Sequence, residues 1–455
     1  MIVVGIGKAL HDSGIAAYID GKIKYCKYER EQNIKHGKAP EKWYWKKLAQ
    51  WGVNLMDINL IYETDAGHFK KYNLPRLPHG GAEKWKISDE HYLVDHHQAH
   101  LNAHTKWKKG NNGVVIDGLG SGNHTTMSVF DNKIERSMDW IGKDYSTIAH
   151  YYVQKDFKIK KRVEGGLSII EPSNSLDDNG KFMSLVPFHK DLIEWNNNMF
   201  ERVKSHFKKK GKVYYMGGCA LNLDWNRKLF DQGYEIDVEP HVYDGGLALG
   251  CLKWALNDLD IEIKIDNFPY IQDDESPKNS ATSETIEKVS ELLSKGKIVG
   301  WYQGNGEVGP RALGNRSILM DPSIKNGKDF LNKRVKKREN WRPYGATILQ
   351  EENHKYFDFD AGPYMLFTSK CLFKDIDSII HVDNTCRQQT LKYEQNKLYY
   401  DLINSFYKKT GLPMVLNTSL NIRGFPIAST ISSAMEAFKN SEMDAICIGD
   451  DLYIK

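Results

Sequence analysis

Two stretches of the chain share one rhythm of apolar and polar positions. VVGIGKALHDSGIAAYIDGKI starts at Val3 and VVIDGLGSGNHTTMSVFDNKI at Val114. Each opens as an apolar run, passes through small residues, resumes as an apolar run and turns at Asp20-Gly21 or Asp131-Asn132. Such pairs tolerate the positive φ of tight hairpin turns, so both copies predict strand, loop, strand, turn, strand. Their small loop residues leave backbone N–H groups available to a phosphate. Two unrelated hairpins would carry the same signal.

Between residues 191 and 260 the period changes. DLIEWNNNMFERVKSHF is amphipathic, KVYYMGG is a strand running into glycines, and GGLALGCLKWAL reads as a helix entered through glycines. This alternation predicts an α/β fold. A duplicated hairpin unit separated by helical sequence is the pattern of an actin-like, ATPase-type domain. The polar run Gln272–Glu284 then interrupts the periodicity, and a helix (ETIEKVSELLSKG) and a strand (KIVGWY) follow it, which places a domain boundary near 275–284.

Composition narrows this picture. A chain of 455 residues exceeds what one core usually organises, so two domains are expected. With 40% hydrophobic and 27% charged residues it is globular in type. It has no membrane-length apolar run, and MIVVGIG lacks the features of a leader, so a cytoplasmic protein without a membrane partner is expected. Six cysteines without a C-x-x-C pair argue against a disulfide framework and a zinc ribbon. A net charge of +4 is a thin case for a polyanionic partner, and clusters such as KIKKR and FKKKGK read first as solvated faces.

Three segments carry candidate chemistry. HYLVDHHQAHLNAH puts His96, His100 and His104 at i, i+4 and i+8, where neighbouring imidazoles can converge on one cation; core-satisfied histidines are the plainer alternative. Asp244 in YDGGLALG is a candidate third ligand or a helix N-cap. QGNGEVGPRALGNRSILMDP presents Arg311 and Arg316, NKRVKKRENWRPYG supplies Lys336 and Arg342, and HVDNTCRQQT supplies Arg387. Cations converging from separate segments would hold a ligand with several phosphates. LPMVLNTSLNIRGFPI ends a strand in Asn417, Thr418, Ser419 and Asn421, which would clasp a phosphate or planar amide, or form a plain Asx turn.

Taken together, HDSGIAAYIDGKI, VDHHQAH, NGKFMSLVPF, GGCALN, YDGGLALG, VGPRALGNRSIL, the lysine-arginine segment through RPYG, HVDNTCRQQT and NTSLN resemble the NodU/CmcH-type O-carbamoyltransferases, in that family's order. The resemblance implies an actin-like (ASKHA) duplicated carbamoyl-transfer domain at 1–275 and a YrdC-like α/β domain at 285–455. The second domain would form carbamoyladenylate from ATP and carbamoyl phosphate with loss of pyrophosphate. The first would pass the carbamoyl group to a hydroxyl. It further implies His96, His100 and Asp244 around a divalent metal, Fe2+ by analogy, with Mg2+ accompanying ATP. Gly180, Lys181, Gly217, Gly218 and Asn222 would line the nucleotide site. Lys336, Arg342, Arg387 and Ser419 would hold carbamoyl phosphate and the ATP phosphates, with Arg311 nearby.

The chain departs from the family pattern at Asn305, where an arginine is usual, and at Asn179, where an acidic residue is usual. His11, beside Asp12 and Ser13, is the candidate general base toward the acceptor, a structural histidine being the alternative. The acceptor expected is a hydroxymethylpyrimidine, 5-hydroxymethylcytosine in DNA or its nucleotide, with a sugar or antibiotic alcohol as runner-up. Threonylcarbamoyl transfer to tRNA and a non-catalytic nucleotide-binding protein are the other readings, and a homodimer is left open.

Overall fold

β1 (Ile2–Lys8) lies in the middle of a sheet, and its sequence shows why: Val3, Val4 and Ile6 are all fully buried, as a strand covered on both faces requires. It pairs antiparallel with β2 (Gly14–Ile19), which pairs antiparallel with β3 (Lys22–Lys27). On its other side it runs parallel to β4 (Ile58–Asp65), where β5 (Lys84–Ser88) and β6 (His91–Val94) complete the sheet. A second sheet repeats the plan. β7 (Gly113–Ile116) pairs antiparallel with β8 (Met127–Phe130), β8 with β9 (Ile134–Ser137), and β7 runs parallel to β10 (Val213–Met216), itself parallel to β11 (Ile236–Asp237). Apart from the edge strand β5, both sheets read third, second, first, fourth, last. The expected duplication is therefore present as an actin-like pair of sheets, and the alternative of unrelated hairpins falls.

The computed structural model describes residues 1–9, 11–65, 84–117, 127–130, 134–137, 190–208, 211–338, 342–381 and 383–455. The first predicted turn is present, with Asp20 at φ 45° and Gly21 at φ 87°. Its counterpart at Asp131-Asn132 lies outside the described residues. Gly5 and Gly7 belong to β1 itself. A Cβ on Gly5 would stand 2.2 Å from Ala248 O, and one on Gly7 2.8 Å from Ala248 N. These glycines admit the Leu247–Asp258 helix to backbone contact with the sheet, a use distinct from facing a phosphate.

The described residues divide into two units: those within 1–175, 196–221 and 228–273 form one, and those within 176–195, 222–227 and 274–455 the other. The second is built on an eight-stranded sheet of β12 (Val299–Tyr302), β13 (Arg316–Met320), β14 (Gly345–Leu349), β15 (Thr368–Lys370), β16 (Thr385–Leu391), β17 (Met414–Ser419), β18 (Ala445–Ile448) and β19 (Asp451–Ile454). Their order across the sheet is β15-β16-β14-β17-β13-β12-β18-β19. Alternate residues feed two cores. Val299, Trp301, Leu319, Val415 and Cys447 pack with Val289, Leu293, Leu402 and Phe406 of the Ser283–Ser294 and Lys397–Thr410 helices. Tyr302, Ile318, Leu416 and Ile446 pack with Ala434 and Phe438 of the Ile431–Lys439 helix. Among the described residues no helix is long and apolar enough to cross a membrane, and all six cysteines are buried free thiols.

The Gly5 contact is open to a direct test. Gly5→Ala forces a Cβ into the Ala248 backbone, and overpacking of this kind costs about 3 kcal/mol. At ~2–4 °C per kcal/mol, differential scanning calorimetry should show the transition of the first unit lowered by roughly 6–12 °C.

Candidate functional site

In the first unit, β6 delivers the chain into the His96–Ala103 helix, whose N-cap Asp95 accepts the Gln98 N–H at 2.8 Å. His96 and His100, one turn apart, bring their Nε2 atoms to 3.2 Å. Asp117 follows β7, and its Oδ2 stands 3.1 Å from both Nε2 atoms. Asp244, which opens the turn leading into the Leu247–Asp258 helix, places Oδ1 at 3.4 Å from His96 Nε2 and 3.3 Å from His100 Nε2. Asp117 escaped the sequence reading. Its signal was a lone carboxylate ending the apolar run VVI before a glycine, at the point where a parallel strand hands its last side chain to a site.

The electrostatics follow from burial. Burial pushes His96 down, but the two carboxylates more than reverse this and raise it to about 10; His100 is raised for the same reason. Burial pushes Asp117 up, and the two imidazoles pull it well below the usual carboxylate range. Asp244 is pushed up by burial and by Asp117, and the imidazoles bring it below its ordinary value. Donors held about 2.0–2.2 Å from a common ion stand ~3–3.6 Å apart, so these spacings suit a first-row divalent metal. His104 is no part of this group. It lies past the helix end in extended backbone, and its Nε2 faces Asp237 Oδ1 at 3.3 Å. His97 points to Ser128 Oγ at 2.8 Å, and burial pushes it down to about 3.

His11 stands beside the same centre. Its Nδ1 is 2.8 Å from Asp12 Oδ2 and 3.8 Å from Asp244 Oδ2. Asp12, fully buried at φ 54°, shares Oδ2 with His36 Nδ1 at 3.1 Å. Burial pushes Asp12 up, but the two histidines and Lys27 bring it well below the usual range. Directing Nδ1 to a carboxylate leaves Nε2 as the proton-accepting edge of the His11 ring. His36 was not singled out in the sequence, since nothing local marks a residue 24 positions away from its partner. Gly217 and Gly218 lie at the end of β10, against β7. A Cβ on Gly217 would meet Ile116 O at 2.2 Å, and Gly218 N donates to Asp117 Oδ1 at 3.4 Å.

In the second unit, strand register assembles part of the expected cationic site. Gly345 of β14 is flanked by Arg387 of β16 and Asn417 of β17. A Cβ at Gly345 would be 2.5 Å from Arg387 O and 3.2 Å from Arg387 Nε, so the glycine makes room for both the backbone and the side chain of Arg387. Lys336 Nζ donates to Ser419 O at 2.7 Å, Ser419 Oγ at 3.2 Å and Asn421 O at 3.0 Å, which joins three of the predicted residues. Asn417 holds a loop: its Nδ2 donates to Ala312 O at 3.1 Å and Thr347 Oγ1 at 3.0 Å. Gln389 Nε2 holds Leu313 O at 3.0 Å, and Glu307 Oε1 accepts from Leu313 N at 2.7 Å, Asn315 N at 2.8 Å and Arg316 N at 3.2 Å. These bonds fix the segment carrying the buried Arg311.

Arg316, by contrast, is structural. It is fully buried, paired with Asp274 Oδ1 at 3.0 Å, bonded to Gly304 O at 2.8 Å and stacked on Tyr302. The Arg342 carbonyl is held by Asn332 Nδ2 at 2.8 Å. Asn222, in the second unit, caps its helix by accepting from Trp225 N at 3.1 Å. At the departure from the family pattern, the Asn305 carbonyl accepts from Asn315 Nδ2 at 2.8 Å. Gly180 and Lys181, with Asn179, lie outside the described residues.

Part of the chain matches a known family. Residues 290–455 match the family model Carbamoyltransferase C-terminus. The chain is 33% identical over 308 residues to nodulation protein NolO of Bradyrhizobium diazoefficiens, covering 60% of this chain and 56% of that one. It is 32% identical over 252 residues to the 3'-hydroxymethylcephem-O-carbamoyltransferase of Streptomyces clavuligerus, covering 53% of this chain and 48% of that one. The chain thus spans about half the length of the curated relatives it matches. Among solved structures, full-length HypF in its phosphate- and nucleotide-bound form aligns over 57% of this chain and 46% of its own, at 13% identity and a TM-score of 0.33.

The donor set separates the histidines by experiment. Asp117→Asn should weaken binding of a first-row divalent metal by more than about 100-fold, a loss at least as large as that seen when a supporting residue is removed. His104→Gln should keep wild-type metal content by inductively coupled plasma mass spectrometry. Equal metal content in Asp117→Asn and wild type would remove Asp117 from the donor set.

Proposed function

We propose, from the match of residues 290–455 to Carbamoyltransferase C-terminus and the resemblance to the NodU/CmcH-type carbamoyltransferases, that the chain moves a carbamoyl group onto an acceptor hydroxyl beside the four-donor centre of the first unit. The observation that carries this is the position of the His11–Asp12 pair, 3.8 Å from Asp244, which sets a proton acceptor at the edge of that centre. His11 Nε2 takes the proton of the acceptor hydroxyl as its oxygen attacks the carbamoyl carbon. The new C–O bond forms, the bond to the activating phosphate breaks, and a carbamate ester and AMP result. Asp12, kept ionised, orients the ring and stabilises the imidazolium that forms. A divalent metal held by His96, His100, Asp117 and Asp244 would supply Lewis-acid polarisation there. Iron is the ion we propose, on the mixed nitrogen and oxygen donors.

Activation belongs in this reading to the second unit, a YrdC-like domain. Lys336, Ser419 and Asn421 form one cluster, Arg387 lies over Gly345, and Arg311 is presented by the clamped loop; together with Arg342 they would hold carbamoyl phosphate and the phosphates of ATP, as an adenylate of the carbamoyl group is made. The acceptor class is a hydroxymethyl group. The name of the cephem relative carries one on a small molecule, and for this chain we propose a hydroxymethylated pyrimidine, free as a nucleotide or within DNA.

Two variants divide the reaction. Asp12→Asn should leave carbamoyl-phosphate-dependent exchange of labelled pyrophosphate into ATP intact while lowering transfer about 10²–10⁴-fold. Lys336→Ala should abolish exchange. Transfer at the wild-type rate in Asp12→Asn would overturn the assignment of His11. For the acceptor, mass spectrometry over hydroxymethylpyrimidine DNA, the nucleotides and small alcohols should show the gain of one carbamoyl group. A DNA acceptor requires turnover to fall steeply with salt, because bound phosphates release counterions, and a flat salt response would restrict the acceptor to small molecules.

A further inference from the structure

The helix that carries His96 and His100 is only eight residues long, and its exit is held in an unusual way. A helix end leaves its last carbonyls without intrahelical partners. Here Ala103 O accepts from His241 Nε2 at 2.8 Å. The turn that follows is gripped by one ammonium: Lys253 Nζ donates to His104 O at 2.6 Å, Thr105 O at 3.1 Å and Trp107 O at 2.8 Å. Those three bonds use all three N–H groups of a protonated lysine, and a neutral amine could make only two. Lys253 is 8% exposed, so no water-facing role accounts for it. Burial pushes its pKa down to about 8, with Glu239 opposing, which still leaves the ammonium form in the majority at neutrality. Glu239, also buried, accepts from Thr105 N at 2.7 Å.

The residues in this grip flank a metal donor. Glu239 and His241 precede Asp244 by five and three positions, and Lys253 lies on the helix that Asp244 leads into. The two helices also touch at Gly250, where a Cβ would stand 1.8 Å from Ala99 O. The segment bearing Asp244 is therefore stitched to the helix bearing His96 and His100 at their crossing and at the far end of the shorter one.

We infer that Lys253, together with His241, is a positioning residue that fixes the Asp244 carboxylate against the His96 and His100 imidazoles, and so sets the affinity and geometry of the metal centre without touching the metal. The inference rests on the reading of that centre as a metal site. Positive charge at a helix C-terminus also complements the helix dipole. Substitutions behind first donors typically weaken metal binding by about 10–100-fold.

The test titrates Co2+ into the metal-free full-length protein and follows the visible d–d bands. Wild type should bind and give bands of a defined coordination geometry. Lys253→Met should bind about 10–100-fold more weakly with shifted bands, at unchanged far-ultraviolet circular dichroism. His241→Phe, which removes the hydrogen bond to Ala103 O, should move in the same direction and serves if Lys253→Met does not fold. Lys106→Met, at an exposed lysine near the same turn, should match wild type. Folded variants with wild-type affinity and bands would overturn the positioning role while leaving the metal site standing. Absence of Co2+ binding by the wild type would overturn the metal site itself.

Discussion

The structure depends on a helix that meets its neighbours backbone to backbone. Leu247–Asp258 lies on β1 where Gly5 and Gly7 have no Cβ, and on the His96–Ala103 helix where its own Gly250 has none. A Cβ at any of these points would sit only 1.8–2.8 Å from backbone atoms and force the elements apart. At that separation Asp244 would no longer face His96 and His100 at 3.3–3.4 Å. Close approach is thus the condition for the donor set, and it is met by the absence of atoms.

Charge supplies the second constraint. Two carboxylates and two imidazoles buried together are held in register by mutual attraction, which raises the imidazoles and lowers the acids despite desolvation. Asp12 extends the same logic outward by accepting two histidines on one oxygen. In the second unit the solution is different: a carboxylate, Glu307, gathers three backbone N–H groups, and the amides of Asn417 and Gln389 take two carbonyls of the same loop. There the loop that carries Arg311 has its backbone groups satisfied by side chains of neighbouring strands and of its own start.

Residue type alone suggests a ligand for side chains that the fold uses for itself. Arg316 resembles Arg311 in composition and spacing, yet it is consumed by Asp274, Gly304 O and the face of Tyr302. Asn417 has the chemistry to clasp a phosphate, and its N–H groups already hold Ala312 and Thr347. His104 continues the histidine spacing, but the helix ends before it. A guanidinium, an amide or an imidazole advertises hydrogen bonding in the sequence without saying to what.

What the sequence by itself determined was everything governed by near neighbours: the duplicated strand-turn-strand units, the Asp20-Gly21 hairpin, the helical spacing of His96 and His100, and the glycine-led segment around Asp244. Two-residue and four-residue periods encode these directly. What only the tertiary structure decided was which distant segments meet. Asp117, His36 and Lys253 join the first unit's site through strand order and helix crossing. The energy of those approaches comes from contacts more than a hundred positions apart for Asp244 with His96 and for Lys253 with the histidine helix, and no local pattern records them.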